Sequence, residues 1–197
     1  MKDKIDSKLA ALIIISAAVS YYSSTASAHG YINSPASRSY LCNTGGNVNC
    51  GSIQYEPQSL EGLKGFPEDG PADGYIASAG KEQFHELDAQ TTNRWRKVDV
   101  TTGNMNFEWT LTKTHPTQSW DYYITKSGWD QNKPLTRSDL DLTPFCHYDG
   151  SGQTPVSPVT QACVIPADRK GYNIILGVWS ISDTPNAFYQ AVDINVK

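Results

Sequence analysis

Apolar and polar residues alternate along the second half of the chain, and many of the apolar positions hold β-branched or aromatic side chains. The clearest runs are NFEWTLTK (106–113), WDYYIT (120–125), YNIILGVWSI (172–181) and FYQAVDINV (188–196), and a weaker run is RKVDVTT (96–102). Such runs are typical of strands. Turn-forming residues separate them, and no long helical periodicity accompanies them. The pattern predicts a mainly β protein built as a β-sandwich.

The segment from about residue 33 to residue 93 has a different composition. It is rich in Gly, Pro, Ser and Asn and contains few strand patterns. Only KEQFHELDAQ (81–90) has the pattern of a short helical turn. A loop-rich insertion of this length in a compact domain is usually functional. We therefore expect a sandwich with a loop-rich, partly helical insertion.

The first 28 residues have the organisation of a secretory signal peptide. Three lysines precede the 12-residue apolar run LAALIIISAAVS, and ASA at 26–28 offers small residues for cleavage. The apolar run is too short for a membrane span, although a signal anchor is the alternative. The sequence thus predicts a secreted, extracellular domain over 29–197 that begins at His29. The overlapping site STA (24–26) would instead make Ser27 the first residue.

Charge and cysteine content narrow the class of protein further. The formal net charge is −4, which argues against a nucleic-acid partner, and no later apolar run is long enough for a membrane. Four cysteines in an exported chain favour two disulfides, and three pairings are possible. We predict the two local pairs, Cys42 with Cys50 and Cys146 with Cys163. The chain contains no CxxC motif, so the sequence does not predict a structural zinc site.

Two of the four histidines suggest a metal site. Cleavage before His29 would give this residue a free α-amine beside its imidazole, and His115 lies just beyond a predicted strand, before Pro116. Together they offer three nitrogens in a T-shaped arrangement, which suits tetragonal copper. Taken alone, His115 is more often a polar loop residue. His85 and His147 lie in polar surroundings, and we expect no metal role for either.

Several longer segments resemble one family throughout 29–197. They are HGYINSPASRSYLC, CGSIQYEPQSLEGLKGFP, GPADGYIASA, ITKSGWD, PLTRSDLDLTPFC and IPADRKGYNIILGVWSISDTPNAFYQAVD. They are similar to bacterial chitin-binding proteins, the copper-dependent lytic polysaccharide monooxygenases of the chitin-active type. The resemblance implies an immunoglobulin- or fibronectin III-like sandwich. It also implies oxidative cleavage of crystalline chitin at C1 by a monomer that uses an external electron donor and O2 or H2O2.

The resemblance also implies roles for residues near the metal. His29 and His115 would bind one copper ion, and Phe188 would shield one side of the metal without binding it. Glu61 would orient the oxygen co-substrate. Trp179 would be a buried indole close to the site. From residue type alone, Glu61 is more often a solvated loop residue, whereas Phe188 and Trp179 are more often core.

A second implied set of residues faces the polysaccharide. Tyr55 would stack on a sugar ring, because the axial C–H groups of a pyranose form an apolar face. Neighbouring polar side chains would bind hydroxyl or N-acetyl groups. The expected substrate-binding residues are Tyr55, Glu56, Glu61, Thr112, Asp183 and Asn186.

One departure from the family pattern lies before the second histidine. The family usually reads Thr-Ala-x-His, and this chain reads Thr112-Lys113-Thr114-His115. Alternate residues of a strand share a face, so the Lys113 side chain can point toward the site or extend into water. The departure leaves the axial environment of the copper open.

Other functions account for less of the sequence. A non-catalytic chitin or N-acetylglucosamine adhesin would need Tyr55 and the polar face but no copper. A periplasmic copper carrier would not need the long insertion. A glycoside hydrolase is disfavoured, because no paired-carboxylate cleft is visible in the sequence.

Overall fold

The computed structural model describes residues 29–197, and the predicted signal peptide, 1–28, lies outside the described residues. Two packed sheets form the frame, as the strand pattern predicts. The smaller sheet is antiparallel and has the strand order β1–β4–β7. Its strands are β1 (His29–Ser34), β4 (Gly103–Lys113) and β7 (Val159–Ile165).

The larger sheet has six strands and is built around the hairpin of β8 and β9. Its order is β2–β9–β8–β5–β6, and β3 pairs with β9 in the parallel sense. The strands are β2 (Glu61–Leu63), β3 (Val98–Val100), β5 (Thr117–Ile124), β6 (Cys146–Asp149), β8 (Gly171–Ile181) and β9 (Asn186–Val196).

The hairpin is buried on both faces, which explains the nearly continuous apolar runs in its sequence. One face packs on the smaller sheet through Trp109, Trp179 and Phe188. At Gly177, a Cβ atom would lie 2.7 Å from Ile32 Cδ1 and 3.2 Å from Trp109 Cζ2, so glycine favours the close approach of the two sheets. The other face is covered by the insertion.

The insertion forms a second core against the outer face of the hairpin. Its helical parts are α1 (Arg38–Asn43) and two 3-10 helices, Gly51–Tyr55 and Glu82–Asp88. The last of these lies within the predicted helical turn. The buried apolar residues include Ile53, Leu60, Ile76, Phe84 and Leu87. The insertion is therefore a packed layer and not a loose loop.

A buried ion pair ties the insertion to the hairpin. Arg38 in α1 donates from Nε and Nη2 to the Asp193 carboxylate at 2.9 and 2.7 Å, and both side chains are almost fully buried. The Tyr172 hydroxyl also donates to Asp193, at 2.6 Å. Burial, together with the nearby Asp193 charge, raises the pKa of Tyr172 above its usual range. This network holds charge in the core because each charged group has a partner.

Both predicted disulfides are present. Cys42–Cys50 joins α1 to the start of the following 3-10 helix, whereas Cys146–Cys163 joins β6 of the larger sheet to β7 of the smaller one. The second bond is a covalent link between the two layers. Within 29–197, no helix has the length and apolar content that a membrane-spanning helix needs.

The stability of the insertion is expected to depend on the buried ion pair. Arg38→Met leaves Asp193 buried without its cation, so we expect a loss of about 3–5 kcal/mol in the free energy of unfolding. Denaturant unfolding of the disulfide-bonded protein measures the loss. Lys133→Met removes an exposed partner of Asp130 and serves as the control, with an expected change below about 1 kcal/mol. Equal effects of the two substitutions would contradict the role given to the pair.

Candidate functional site

The two histidines lie at the same end of the sandwich. His29 begins β1 and pairs with Lys113, the last residue of β4. His115 follows two residues later, in the connection to β5. That connection is fixed against the β8–β9 turn, because Ser182 N donates to Pro116 O at 2.9 Å. The strand pairing and this turn contact hold the two histidine positions.

His115 is largely buried, with 7% of its surface exposed. Its Nδ1 has no hydrogen-bond partner among the described residues. The nearest carboxylate oxygen, Asp183 Oδ2, is 3.5 Å away, which is close enough for an ion pair but not aligned for a hydrogen bond. An unsatisfied ring nitrogen in a buried position is costly. The position therefore suits a histidine whose imidazole binds a further group.

A row of paired residues crosses the larger sheet beside His29. Glu61 pairs with Phe188, and Phe188 pairs with Trp179, so the three side chains share one face. The centroid of the fully buried Phe188 ring lies 6.3 Å from that of His29 and 5.2 Å from that of Trp179. Phenylalanine offers no ligand atom, so the ring forms an apolar wall beside His29.

Glu61 is held at the rim by a side-chain hydrogen bond. Asn186 Nδ2 donates to Glu61 Oε1 at 2.8 Å, across the pairing of β2 with β9. Glu61 is the first residue of β2 and is half-buried. Its carboxylate is therefore fixed by a strand and an amide, and the expectation of a solvated loop residue from residue type alone is wrong.

Trp179 connects the wall to the His115 segment. Trp179 Nε1 donates to Thr117 Oγ1 at 2.9 Å, and this hydroxyl donates to the His115 carbonyl at 3.1 Å. At Gly30, a Cβ atom would lie 2.7 Å from Leu111 Cδ2 and 3.2 Å from Trp179 Cζ3. The glycine after His29 thus lets β1 approach the aromatic core closely.

The expected polysaccharide-facing residues divide into two groups. Thr112 and Asp183 are exposed beside the histidines, and Thr112 Oγ1 lies 3.5 Å from the His29 carbonyl. Tyr55 ends a 3-10 helix with 80% of its surface exposed, and the half-buried Glu56 follows it. Tyr55 and Glu56 are connected to the histidine end of the sandwich through the backbone of the loop that follows them.

Gln190 is a positioning residue that the sequence pattern alone did not single out. Its fully buried Nε2 donates to Gly30 O at 3.4 Å and to Pro57 O at 3.2 Å. Gly30 N also donates to Gln58 O, at 3.2 Å. The loop after Tyr55 is thereby fastened to β1. The sequence signal that could have identified Gln190 is a polar residue within the apolar run FYQAV.

The remaining histidines have other local contacts. His85 is in the 3-10 helix Glu82–Asp88, where its Nδ1 contacts the Glu82 carbonyl. His147 is in β6, with Nδ1 2.7 Å from Asp121 Oδ1. Four further aromatic residues of the strand and turn segments, Trp120, Tyr122, Tyr123 and Trp129, are buried.

The donor set fits copper only if the chain begins at His29. Over 29–197, no three His, Cys, Asp or Glu side chains form a cluster that could hold a metal ion. The two histidines supply imidazole nitrogens, which suit copper, and both cysteine pairs are oxidised. A third nitrogen would come from the α-amine that cleavage exposes. The residues present fit the metal, and the Phe188 ring lies beside His29.

Comparison with known proteins agrees with this geometry. The profile of the family described as "Lytic polysaccharide mono-oxygenase, cellulose-degrading" matches residues 29–194. The chain belongs to this family. Among solved members, an AA10 lytic polysaccharide monooxygenase from Photorhabdus luminescens is 53% identical, with a TM-score of 0.84 over 86% of this chain and 99% of that one. A Bacillus amyloliquefaciens protein in complex with Cu(I) is 42% identical, with a TM-score of 0.80 over 86% and 100%.

Curated members of the family carry a different kind of name. "GlcNAc-binding protein A" of Shewanella oneidensis is 53% identical over 183 residues, which are 93% of this chain and 38% of that protein. The protein of the same name from Photobacterium profundum is 50% identical over 184 residues, 88% of this chain and 38% of that protein. The chain thus spans about two fifths of the length of the curated relatives that it matches.

Copper binding is expected to require the α-amine of His29. A protein that starts at His29 should bind Cu(II) at least about tenfold more tightly than one that starts at Ala28, because the extra residue turns the amine into an amide. Isothermal titration measures the affinity, and electron paramagnetic resonance compares the ligand sets. Equal affinities and identical spectra would contradict the three-nitrogen site.

Proposed function

We propose that this chain is a secreted, copper-dependent monooxygenase that binds crystalline chitin and cleaves its glycosidic bonds at C1. The observation that carries the proposal is the arrangement at one end of the sandwich. His29 lies beside the Phe188 ring, and Glu61 pairs with Phe188 in the sheet. His115 follows β4 at the same end. Together these residues provide two metal ligands, an apolar wall and a fixed carboxylate.

Copper, when bound by His29 and His115, supplies the one-electron chemistry that activates O2 or H2O2. The residues of the chain supply position and surroundings. Phe188 and Trp179 make the floor of the site dry and rigid, since both are fully buried. An external electron donor is required, because the activation of O2 consumes electrons that the side chains of the chain cannot renew.

Glu61 is proposed to orient the oxygen co-substrate, because a protonated oxygen species such as H2O2 can donate a hydrogen bond to its carboxylate. The Asn186 amide fixes Oε1 of this carboxylate, which leaves Oε2 for the co-substrate. A fixed acceptor near the reacting atoms is effective because its ordering entropy is lost during folding, not during the reaction. The role of Glu61 is therefore positioning, and Glu61 is not a ligand of the metal.

The surface around the histidines suits a crystalline polysaccharide better than a single chain in a cleft. Tyr55 offers a largely exposed ring, and the neighbouring contacts are polar. Chitin is favoured because the similar curated proteins are named for N-acetylglucosamine binding. The family description names cellulose degradation, so cellulose is the substrate to test beside chitin.

An adhesin without catalytic activity is the second candidate, and the names of the curated relatives favour it. Such a protein would bind chitin equally well with and without copper and would release no oxidised sugars. Mass spectrometry of products from β-chitin, with copper and ascorbate present, separates the two functions. Release of aldonic-acid oligosaccharides supports the enzyme, whereas their absence with copper bound supports the adhesin.

Tyr55→Ala is expected to weaken chitin binding about fivefold to thirtyfold, which corresponds to roughly 1–2 kcal/mol for one aromatic contact. Copper affinity should not change. Partition onto β-chitin measures the effect. Tyr75→Ala is the matched control, because Tyr75 is another exposed tyrosine of the insertion, with 51% of its surface exposed. Unchanged partition of the folded Tyr55 variant would place the binding face elsewhere.

Glu61→Ala should retain copper and chitin binding but lose about 100-fold in the rate of oxidised product release, because a misplaced reacting group costs about this much. His115→Ala should lose both tight copper binding and activity. Glu68→Ala changes an exposed glutamate of the same insertion and is the control. Wild-type activity of the Glu61 variant would refute the role of this carboxylate and leave the enzyme intact.

A further inference from the structure

Lys113 lies directly opposite His29 in the pairing of β1 with β4. The register shifts here, so that Gly30 pairs with Leu111 while His29 pairs with Lys113. Two residues of β4 therefore advance while β1 advances by one, which leaves Thr112 as the extra residue of a bulge. Bulges re-aim the neighbouring side chains, and this one lies beside His29, three residues before His115 in the chain.

The charge of Lys113 has no partner within the part of the chain that the structure describes. The side chain is exposed and forms neither a hydrogen bond nor an ion pair with residues 29–197. Three other charged groups at this end have partners. Lys64 Nζ donates to Ile181 O at 2.8 Å, Asp183 lies against His115, and Glu61 accepts from Asn186.

The unpaired charge of Lys113 exerts an electric field on ions that approach the histidines. Directly opposite residues of an antiparallel pair have Cα atoms about 4.5–5.5 Å apart. The ammonium of Lys113 is thus within about one Debye length of His29, roughly 10 Å at moderate salt, and its field there is only partly screened. Such a field raises the local concentration of small anions and repels cations.

We propose that Lys113 makes the site selective for anionic electron donors. This proposal rests on the proposed function, because it concerns the donor that supplies electrons to the copper of that same site. The donor is a small anion that gives up one electron at a time, such as an enediolate. One electron passes from the donor to Cu(II), which becomes Cu(I), and the donor becomes a radical that releases its proton to solvent. Lys113 attracts the anion but neither gains nor loses an electron.

The test compares an anionic with a neutral donor. Ascorbate, which is an anion at neutral pH, and hydroquinone, which is uncharged, each reduce the copper-loaded protein in a stopped-flow experiment over a range of salt concentrations. A change in copper potential alone would alter both rates in the same direction. The ratio of the ascorbate rate to the hydroquinone rate therefore isolates attraction of the anion.

Lys113→Gln should lower this ratio about threefold to tenfold at low salt and flatten the salt dependence of the ascorbate rate. Lys113→Arg keeps the charge and should behave like wild type. Lys170→Gln is the matched control, because Lys170 precedes β8 at the far end of the sandwich, roughly 30 Å away at about 3.3 Å per residue. This variant should leave both rates unchanged.

Further measurements separate the two proposals. Copper affinity and the paramagnetic resonance spectrum of the Lys113 variants show whether the metal site itself is intact. If wild type binds copper and Lys113→Gln has the wild-type rate ratio and salt dependence, the role of Lys113 is overturned and the proposed function survives. If wild type binds no copper, the proposed function fails, and the role of Lys113 fails with it.

Discussion

The antiparallel pairing of β8 with β9 is the constraint on which most of the site depends. One register places Trp179 opposite Phe188, and the turn between these strands carries Asp183 toward His115. The edge strand β2 adds Glu61 to the same row. The hairpin can hold this register because both of its faces are buried, and a slip by one residue would place Trp179 and Phe188 on opposite faces of the sheet.

A second constraint comes from the number of available ligands. Within 29–197 the side chains bring two histidine nitrogens to this end, and no cluster of three metal-binding side chains exists there. A site built this way would remain incomplete until the chain is cut before His29. Export and metal binding would then be coupled, because the same cleavage that releases the protein would create the third ligand.

Much of the fold followed from periodicity, whereas the short elements did not. The long strands and the disulfide pairs were predicted because they depend on alternation and on short loop closure. β2, with three residues, gives no periodic signal, so residue type alone suggested a loop at Glu61. Strand β1 lies in a segment without clear alternation, and α1 is only six residues long. Their structures depend on contacts with the hairpin, such as Arg38 with Asp193, that no local pattern contains.

The candidate site likewise depends on contacts between distant parts of the chain that no local pattern contains. His29 and His115 could be related from sequence only through the cleavage site and the family resemblance, since 85 residues separate them along the chain. Gln190 shows what sequence reasoning lacks. From inside the hairpin, its amide reaches Gly30 of β1 and Pro57 of the loop that follows Tyr55. One buried side chain thus fixes the loop that follows Tyr55 relative to the strand that begins with His29. Since an oxidant acts only on the bond placed before it, the distance between these two segments would determine which atom of the polysaccharide is attacked.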